Sequence, residues 1–238
     1  MHADGKYSVS RFSTECGNIL YSNRPHTWEN GKCRYCGASR AVYDRGSEAE
    51  QYAYMFIHTD TPGQFFENMK FDVIVGNPPY QLSDGGAQAS AKPIYHLFVM
   101  QALHLKPRYL SMIIPARWYS GGKGLDEFRN DMLNDKHISH LVDYFDSTEC
   151  FPGVDLSGGV CFFLWDRDYL GPCHILSNIN GKETIATRFL LEKGDDTFVR
   201  FNAAINIIRK VKALNEKSFS TIVSPRKPFG VATNDRIS

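Results

Sequence analysis

The sequence predicts an α/β domain on a mostly parallel sheet, followed by the start of a second, smaller α+β region. Three observations carry that expectation. Short β-rich apolar runs alternate with helical patterns over residues 55–170, the order of a sheet crossed by helices. The run Phe71-Asp72-Val73-Ile74-Val75 is almost continuously apolar and is cut off by Gly76 and two prolines, which suits a buried parallel strand. After Asp168 the alternation gives way to a hairpin signal and one amphipathic helix, which sets a boundary near residue 170.

The elements follow in order. Residues 1–46 are polar and irregular, rich in Gly, Asn, Ser and Arg. A short helix is expected from Ser47 to Tyr54 and a strand from Met55 to Thr59. Pro93 to Leu105 reads as a helix opened by a proline in its first turn. Tyr109 to Ile114 is a second buried strand, ended by Pro115. Gly124 to Asn134 is a helix with Leu125, Phe128, Met132 and Leu133 on one face. Ile138 to Phe145 and Val160 to Trp165 are the next strands. Cys173 to Ile179 and Glu183 to Leu191 flank Asn180-Gly181, the strongest short hairpin signal. Phe201 to Leu214 spaces Ile205, Ile208, Val211 and Leu214 helically. The expected division is an irregular segment over 1–46, a catalytic core over 47–170, and a second region over 171–238.

The 238 residues are 42% hydrophobic, enough for one substantial core. No run of eighteen apolar residues exists, so no membrane span is expected, and Met1 to Arg11 has no apolar signal segment. A cytoplasmic protein is the default expectation. The net charge is +1, but Arg200 to Ser238 holds eight Lys/Arg against two Asp/Glu, while residues 1–199 hold nineteen against twenty-four. A basic tail on an acidic body suits a polyanion contact; a solvated amphipathic helix would produce the same count. The six cysteines, Cys16, Cys33, Cys36, Cys150, Cys161 and Cys173, lack a disulfide-framework spacing, so reduced thiols with one metal site fit better.

Asn77-Pro78-Pro79-Tyr80 follows directly on the buried strand Phe71–Val75, and ligands of open α/β sheets bind beyond the carboxyl ends of strands. Two prolines fix the backbone and remove two N–H donors. Carbonyl oxygens are left facing the site without an internal partner, and the Asn side chain adds another acceptor. Converging acceptors can hold both hydrogens of an exocyclic amine and draw its lone pair towards an electrophilic methyl. Tyr80 offers a flat face for stacking a base. No general base is needed before attack, because the amine can lose its proton afterwards. A strand-ending Pro-Pro turn would explain Asn-Pro-Pro by itself; the preceding strand and the following Tyr argue for the pocket.

Phe71 to Gln81 resembles motif IV of the amino-methyltransferases that modify adenine N6 in DNA. Within them it is most similar to the Eco57I-like restriction–modification methylases. Ala91-Lys92-Pro93-Ile94-Tyr95, Ile113-Ile114-Pro115-Ala116-Arg117-Trp118 and Gly158-Gly159-Val160-Cys161-Phe162-Phe163-Leu164-Trp165 extend the resemblance over residues 45–170. It implies a class I (Rossmann-like) methyltransferase sheet, S-adenosylmethionine as donor and an adenine flipped out of the duplex, since the amine is otherwise paired inside the stack. Asn77 and the Pro78 carbonyl would hold the amine, Tyr80 would stack on the base, and Phe162 or Phe163 would close its other face. Strand alternation lets only one of the two face the site.

The resemblance also implies a Gly-rich donor loop after a first strand, and none precedes residue 71; Gly85-Gly86 and Gly121-Gly122 come too late. The sheet is therefore expected to be incomplete on its N-terminal side. Asp60, closing the expected strand Met55–Thr59, is the candidate for the adenine end of the cofactor, against a plain strand-end turn. Cys16-Gly17-Asn18 is an alternative remnant of the donor motif.

Cys33-Arg34-Tyr35-Cys36-Gly37 is half a zinc knuckle, with Cys16 and His26 as local candidates for the remaining ligands of a structural zinc. Gly121-Gly122-Lys123-Gly124 before a helix could meet a DNA phosphate. The expected function is methyl transfer from S-adenosylmethionine to adenine N6 in double-stranded DNA, within a restriction–modification system and beside an endonuclease subunit or domain. The rivals are a protein-glutamine methyltransferase, an RNA adenine methyltransferase and a non-catalytic DNA-binding remnant.

Overall fold

In a computed structural model, residues 26–43, 56–63, 70–82, 92–153, 155–217 and 221–223 are described. The chain divides into two compact units, Met1–Asn202 and Ala203–Ser238. The first opens with β1 (Trp28–Glu29) and β2 (Lys32–Cys33), an antiparallel pair, then the single turn α1 (Arg40–Tyr43). The main sheet begins with β3 (Val73–Gly76). A small antiparallel pair, β4 (Gln81–Leu82) and β5 (Lys92–Pro93), leads into α2 (Tyr95–His104). Then come β6 (Tyr109–Pro115), α3 (Asp126–Asn134), β7 (Ile138–Tyr144), β8 (Val160–Asp166) and the hairpin β9 (Cys173–Ile179) with β10 (Lys182–Arg188). The second unit holds α4 (Ala204–Ala213). Among the described residues no helix is long and apolar enough to cross a membrane.

Among the described residues six strands form one mixed sheet in the order β10-β9-β7-β8-β6-β3. β3 pairs parallel with β6, and β7 parallel with β9; the other three pairings are antiparallel. The α/β class is as expected, but the sheet is not mostly parallel. The cause is the connection from β7 to β8. Its only regular element is the three-residue turn Ser147–Glu149, so it has no crossover helix to return the chain in parallel. β8 therefore runs back between β6 and β7. The hairpin also corrects the boundary near residue 170: β9 and β10 extend the same sheet, and the division falls after Asn202. Asn180 and Gly181, at φ 53° and 74°, make the tight turn that the Asn-Gly pair dictates.

One face of the sheet is covered. Leu110, Met112 and Ile114 of β6, Phe163 of β8, Leu141 of β7 and Ile175 of β9 bury against Tyr95 and Val99 of α2 and Phe128, Met132 and Leu133 of α3. The expected apolar face of the third helix is thus the buried one, with Leu125 just ahead of it. The proline expected inside the second helix lies in β5 instead, and α2 starts two residues later, at Tyr95.

The opposite face is open. Residues opposite each other in register share a face, so Val73 and Val75 of β3 line up with Tyr109 and Ser111, and Phe162 of β8 with Ile113 and Val142. Val73 is 56% and Val75 75% exposed. β3 is parallel as expected but not buried: among the described residues it is an edge of the main sheet, with one face bare. Its apolar run is the composition of a strand meant to be covered.

The glycine pair before β8 supplies a prediction. Gly158 and Gly159 both have positive φ, 93° and 79°. A Cβ at Gly158 meets open space; one at Gly159 would strike the carbonyl oxygens of Tyr144 and Phe145. Gly159→Ala is expected to destabilise by about 2 kcal/mol or more, and Gly158→Ala by only about 1 kcal/mol, in denaturant unfolding.

A second prediction concerns His96 on α2. Its Nδ1 is buried without a hydrogen-bond partner, its ring lies 5.9 Å from that of Phe128, and burial, then Lys92, lowers its pKa to about 4. The fold therefore favours the neutral ring. The stabilisation is complete above pH ~6.5, the ordinary histidine value, and is lost as pH falls from there towards 4. Between pH 7.5 and 5 the loss from this half-buried group is expected to reach at most about 2 kcal/mol, reduced by solvent screening. His96→Gln should flatten that part of the stability profile.

Candidate functional site

The carboxyl ends of β3, β6 and β7 and the amino end of β8 lie at one end of the sheet, because Gly76 pairs beside Met112, Pro115 opposite Val160, and Tyr144 opposite Val160. Asn77-Pro78-Pro79-Tyr80 leaves β3 there. The Asn77 side chain is exposed and makes no hydrogen bond among the described residues, and Pro78 is buried. The Pro78 and Pro79 carbonyls accept no backbone hydrogen bond among the described residues, whereas the Tyr80 carbonyl accepts the Ile94 N–H at 3.1 Å. That bond ties the end of the motif to the start of α2. Tyr80 is half-buried against the main core. Its hydroxyl is buried without a partner, and burial pushes its pKa up to about 12. The motif thus offers unused acceptors beside an anchored aromatic ring, an arrangement that can hold an amine.

Of the two aromatic candidates on β8, Phe163 is 1% exposed in the core, while Phe162 is 36% exposed on the open face, 6.3 Å from the Tyr144 ring. Alternation thus puts Phe162 on the open face and Phe163 in the core.

Beyond β6, the turn Ala116–Ser120 buries Trp118 and Tyr119. A cavity of about 330 Å³ lies there, lined by Ala116, Arg117, Tyr119, Gly158, Phe198 and Arg200 among others. Arg200 was not singled out from the sequence. Its Nε and Nη2 donate to Asp143 Oδ2 and Oδ1 at 2.8 and 2.7 Å. Its Nη1 donates to the Gly158 carbonyl at 2.8 Å, and its guanidinium lies 3.8 Å from the centre of the Phe145 ring. Asp143 is fully buried. The pair spans 57 positions of sequence, so no local pattern announces it.

On the donor side the expectations need correcting. Phe56 and Ile57 form part of a 3₁₀ turn rather than a strand, and the helix expected over residues 47–54 lies outside the described residues. The premise that Asp60 closes a strand therefore fails. Asp60 is exposed, 3.6 Å from Arg34 Nη2 and 3.5 Å from the Tyr35 hydroxyl. Among the described residues no glycine-rich loop follows a strand ahead of β3. These residues do not assemble a cradle for S-adenosylmethionine. The loop Gly121–Gly124 is not an open anion site either, since the Gly122 N–H already donates to Asp126 Oδ1 at 2.9 Å.

The cysteine pair is better furnished. Cys33 and Cys36 are buried beside His26 and His58, and ligand atoms of all four lie within 4.8 Å of one another. The hydrogen bond from Cys36 holds the Cys33 thiol well below its usual pKa range and pushes that of Cys36 up. Cys16 lies outside the described residues. His58 was missed because it falls twenty-two positions after Cys36, in a stretch that reads as a strand. The Asn30-Gly31 turn that carries the knuckle was legible, with φ 49° and 76°, the same signal as Asn180-Gly181.

Residues 5–151 match the Eco57I restriction-modification methylase family. The chain is 36% identical over 187 residues to an uncharacterized adenine-specific methylase of Mycoplasma pneumoniae, covering 73% of this chain and 44% of that protein. It therefore spans less than half the length of that curated relative. Among solved structures, a chain of a type I restriction–modification system aligns at TM-score 0.35 and 18% identity, over 61% of this chain and 30% of its own length. The type I methyltransferase subunit from Streptococcus thermophilus aligns at TM-score 0.34 and 15% identity, over 67% and 35%. Neither likeness adds to what the family match and the relative establish.

Proposed function

This chain belongs to the Eco57I restriction–modification methylase family, and from that premise we propose that its site holds the exocyclic amine of an adenine in double-stranded DNA for N6 methylation. Membership implies S-adenosylmethionine as the methyl donor. The observation that carries the reading is the set of acceptors at the end of β3 that take no hydrogen bond among the described residues: the exposed Asn77 amide and the prolyl carbonyls beside half-buried Tyr80. The Asn77 side-chain oxygen and the Pro78 carbonyl accept one amine hydrogen each. Tyr80 stacks on one face of the flipped base and Phe162 closes the other. The amine needs no prior deprotonation and releases its proton after transfer.

The basic stretch beyond Arg200, seven Lys/Arg against two Asp/Glu, supports a DNA-backbone contact, and its salt-dependent term would supply non-specific affinity. We assign that stretch to the beginning of a target-recognition region. The proposed setting is a restriction–modification system with an endonuclease subunit or domain as partner. The donor pocket is no part of this assignment, because the described residues do not build it.

The test offers purified protein and methyl-labelled S-adenosylmethionine a duplex oligonucleotide library, a structured RNA and a release-factor-like peptide. Label is expected in the duplex alone. Label in the peptide would point to a side-chain amide as substrate, label in the RNA to an RNA methylase, and either would overturn the proposal.

A further inference from the structure

We propose that His26, Cys33, Cys36 and His58 bind one structural zinc ion, which clamps the N-terminal knuckle and the Asp60 segment onto α2. The four ligand atoms lie within 4.8 Å of one another, close to a tetrahedral shell. Bonds of ~2.3 Å to sulfur and ~2.0–2.1 Å to nitrogen at tetrahedral angles put sulfur and nitrogen ligands about 3.6 Å apart. Cys36 Sγ lies 3.5 Å from His26 Nδ1, and Cys33 Sγ lies 3.9 Å from His58 Nε2. The two imidazole rings sit 4.6 Å apart and tilted. All four residues are buried, none more than 9% exposed. Two thiolates and two imidazoles with no open position are the donor set of a closed structural zinc site rather than a catalytic one.

The local backbone is built for it. The turn at Asn30-Gly31 brings Trp28 opposite Cys33. The Cys33 N–H then donates to the Ala38 carbonyl and the Gly37 N–H to the Cys33 carbonyl, both at 2.8 Å, which curls the two thiols towards each other. Gly37 sits at φ +70°, and a side chain there would strike the Lys92 ammonium.

The lobe also needs the ion. Among the described residues its core is Cys33, Cys36, Ala38, Ile57, Ile94 and Phe98, with a few half-buried neighbours. Strands of two residues and a single helical turn cannot hold such a lobe by burial alone, and a metal is the usual staple at this size. His58 is the long-range ligand. It joins the knuckle to residues 56–60, where the Thr59 carbonyl accepts from Gln101 of α2 and Asp60 meets Arg34. α2 in turn begins at the Ile94 bond to Tyr80. The ion thus fixes residues 56–60, which meet α2 through Thr59 and Gln101. None of this depends on the methyltransferase reading.

The test measures metal by plasma emission on the full chain, produced in zinc-supplemented medium and purified without chelating resin. One zinc per chain is expected, falling below a tenth in Cys33→Ser and His58→Ala. Cys16→Ser should keep one full equivalent, since His58 takes the place that the sequence leaves to Cys16. Where His58→Ala does not fold, His58→Cys decides: it should retain the ion, and its cobalt-loaded form should show a tetrahedral visible spectrum with stronger sulfur charge transfer. Wild-type protein without zinc, or His58→Ala with a full equivalent, would overturn the site. So would loss of the ion in Cys16→Ser with retention in His58→Ala, which would hand the fourth position to Cys16.

Discussion

Asn77→Ala is expected to lower methyl transfer on the order of 10²–10³-fold while leaving duplex binding and stability unchanged. The magnitude is that of removing one preorganised polar group aimed at a reacting centre. The selectivity follows from the position of the side chain. Asn77 is exposed, holds no hydrogen bond among the described residues, and supports no core residue. Its removal takes away an acceptor for the amine and nothing from the fold. Asn77→Asp keeps an acceptor of similar shape and should retain part of the rate. Matched binding with lost turnover, read as kcat falling at constant affinity, identifies an interaction realised in the reaction. A fall in affinity of the same size as the fall in rate would instead make Asn77 a binding contact.

The largest effect on stability is expected at Arg200 and Asp143. Asp143 is fully buried on β7, and its two oxygens are taken by the fork of Arg200. Arg200→Ala strands a carboxylate in the core, and such single removals cost about 3–5 kcal/mol. For a chain of this size that is a fall in Tm of roughly 10 °C. Asp143→Leu with Arg200→Met removes both charges and should recover most of the loss, because a well-packed apolar pair can match a buried ion pair. The same guanidinium also holds the Gly158 carbonyl, so Arg200→Ala should loosen the entry to β8 and reduce activity as well. An Arg200→Ala protein that melts within about two degrees of wild type would show that the pair is not structural in this sense.

What the sequence disclosed depended on how far apart the cooperating residues lie. β6 and β8 announce themselves by short runs, α3 by its buried Phe128, Met132 and Leu133, and the β9–β10 hairpin by Asn180-Gly181; each signal is contained within about ten positions. The motif at Asn77–Tyr80 was legible for the same reason. Pairing order was not. Nothing in Val160–Asp166 reveals that it runs antiparallel between β6 and β7; that follows from a connection without a helix and from Gly159 passing close over Tyr144 and Phe145. His58 meets Cys33 across 25 positions, and Arg200 meets Asp143 across 57. Composition misled at β3, where an apolar run is half bare, and at Phe56–Ile57, where apolar residues form a turn. Apolar residues announce burial, but the partner that would provide it belongs to tertiary structure.

Asn77–Tyr80 at the end of β3 is proposed to hold an adenine amine. The direct measurement is nucleoside mass spectrometry on duplex DNA incubated with S-adenosylmethionine and either wild-type or Asn77→Ala protein. N6-methyl-2′-deoxyadenosine is expected with the wild type, and its loss with the variant. Methylated cytosine, no methylated nucleoside from the wild type, or an undiminished yield from Asn77→Ala would contradict it.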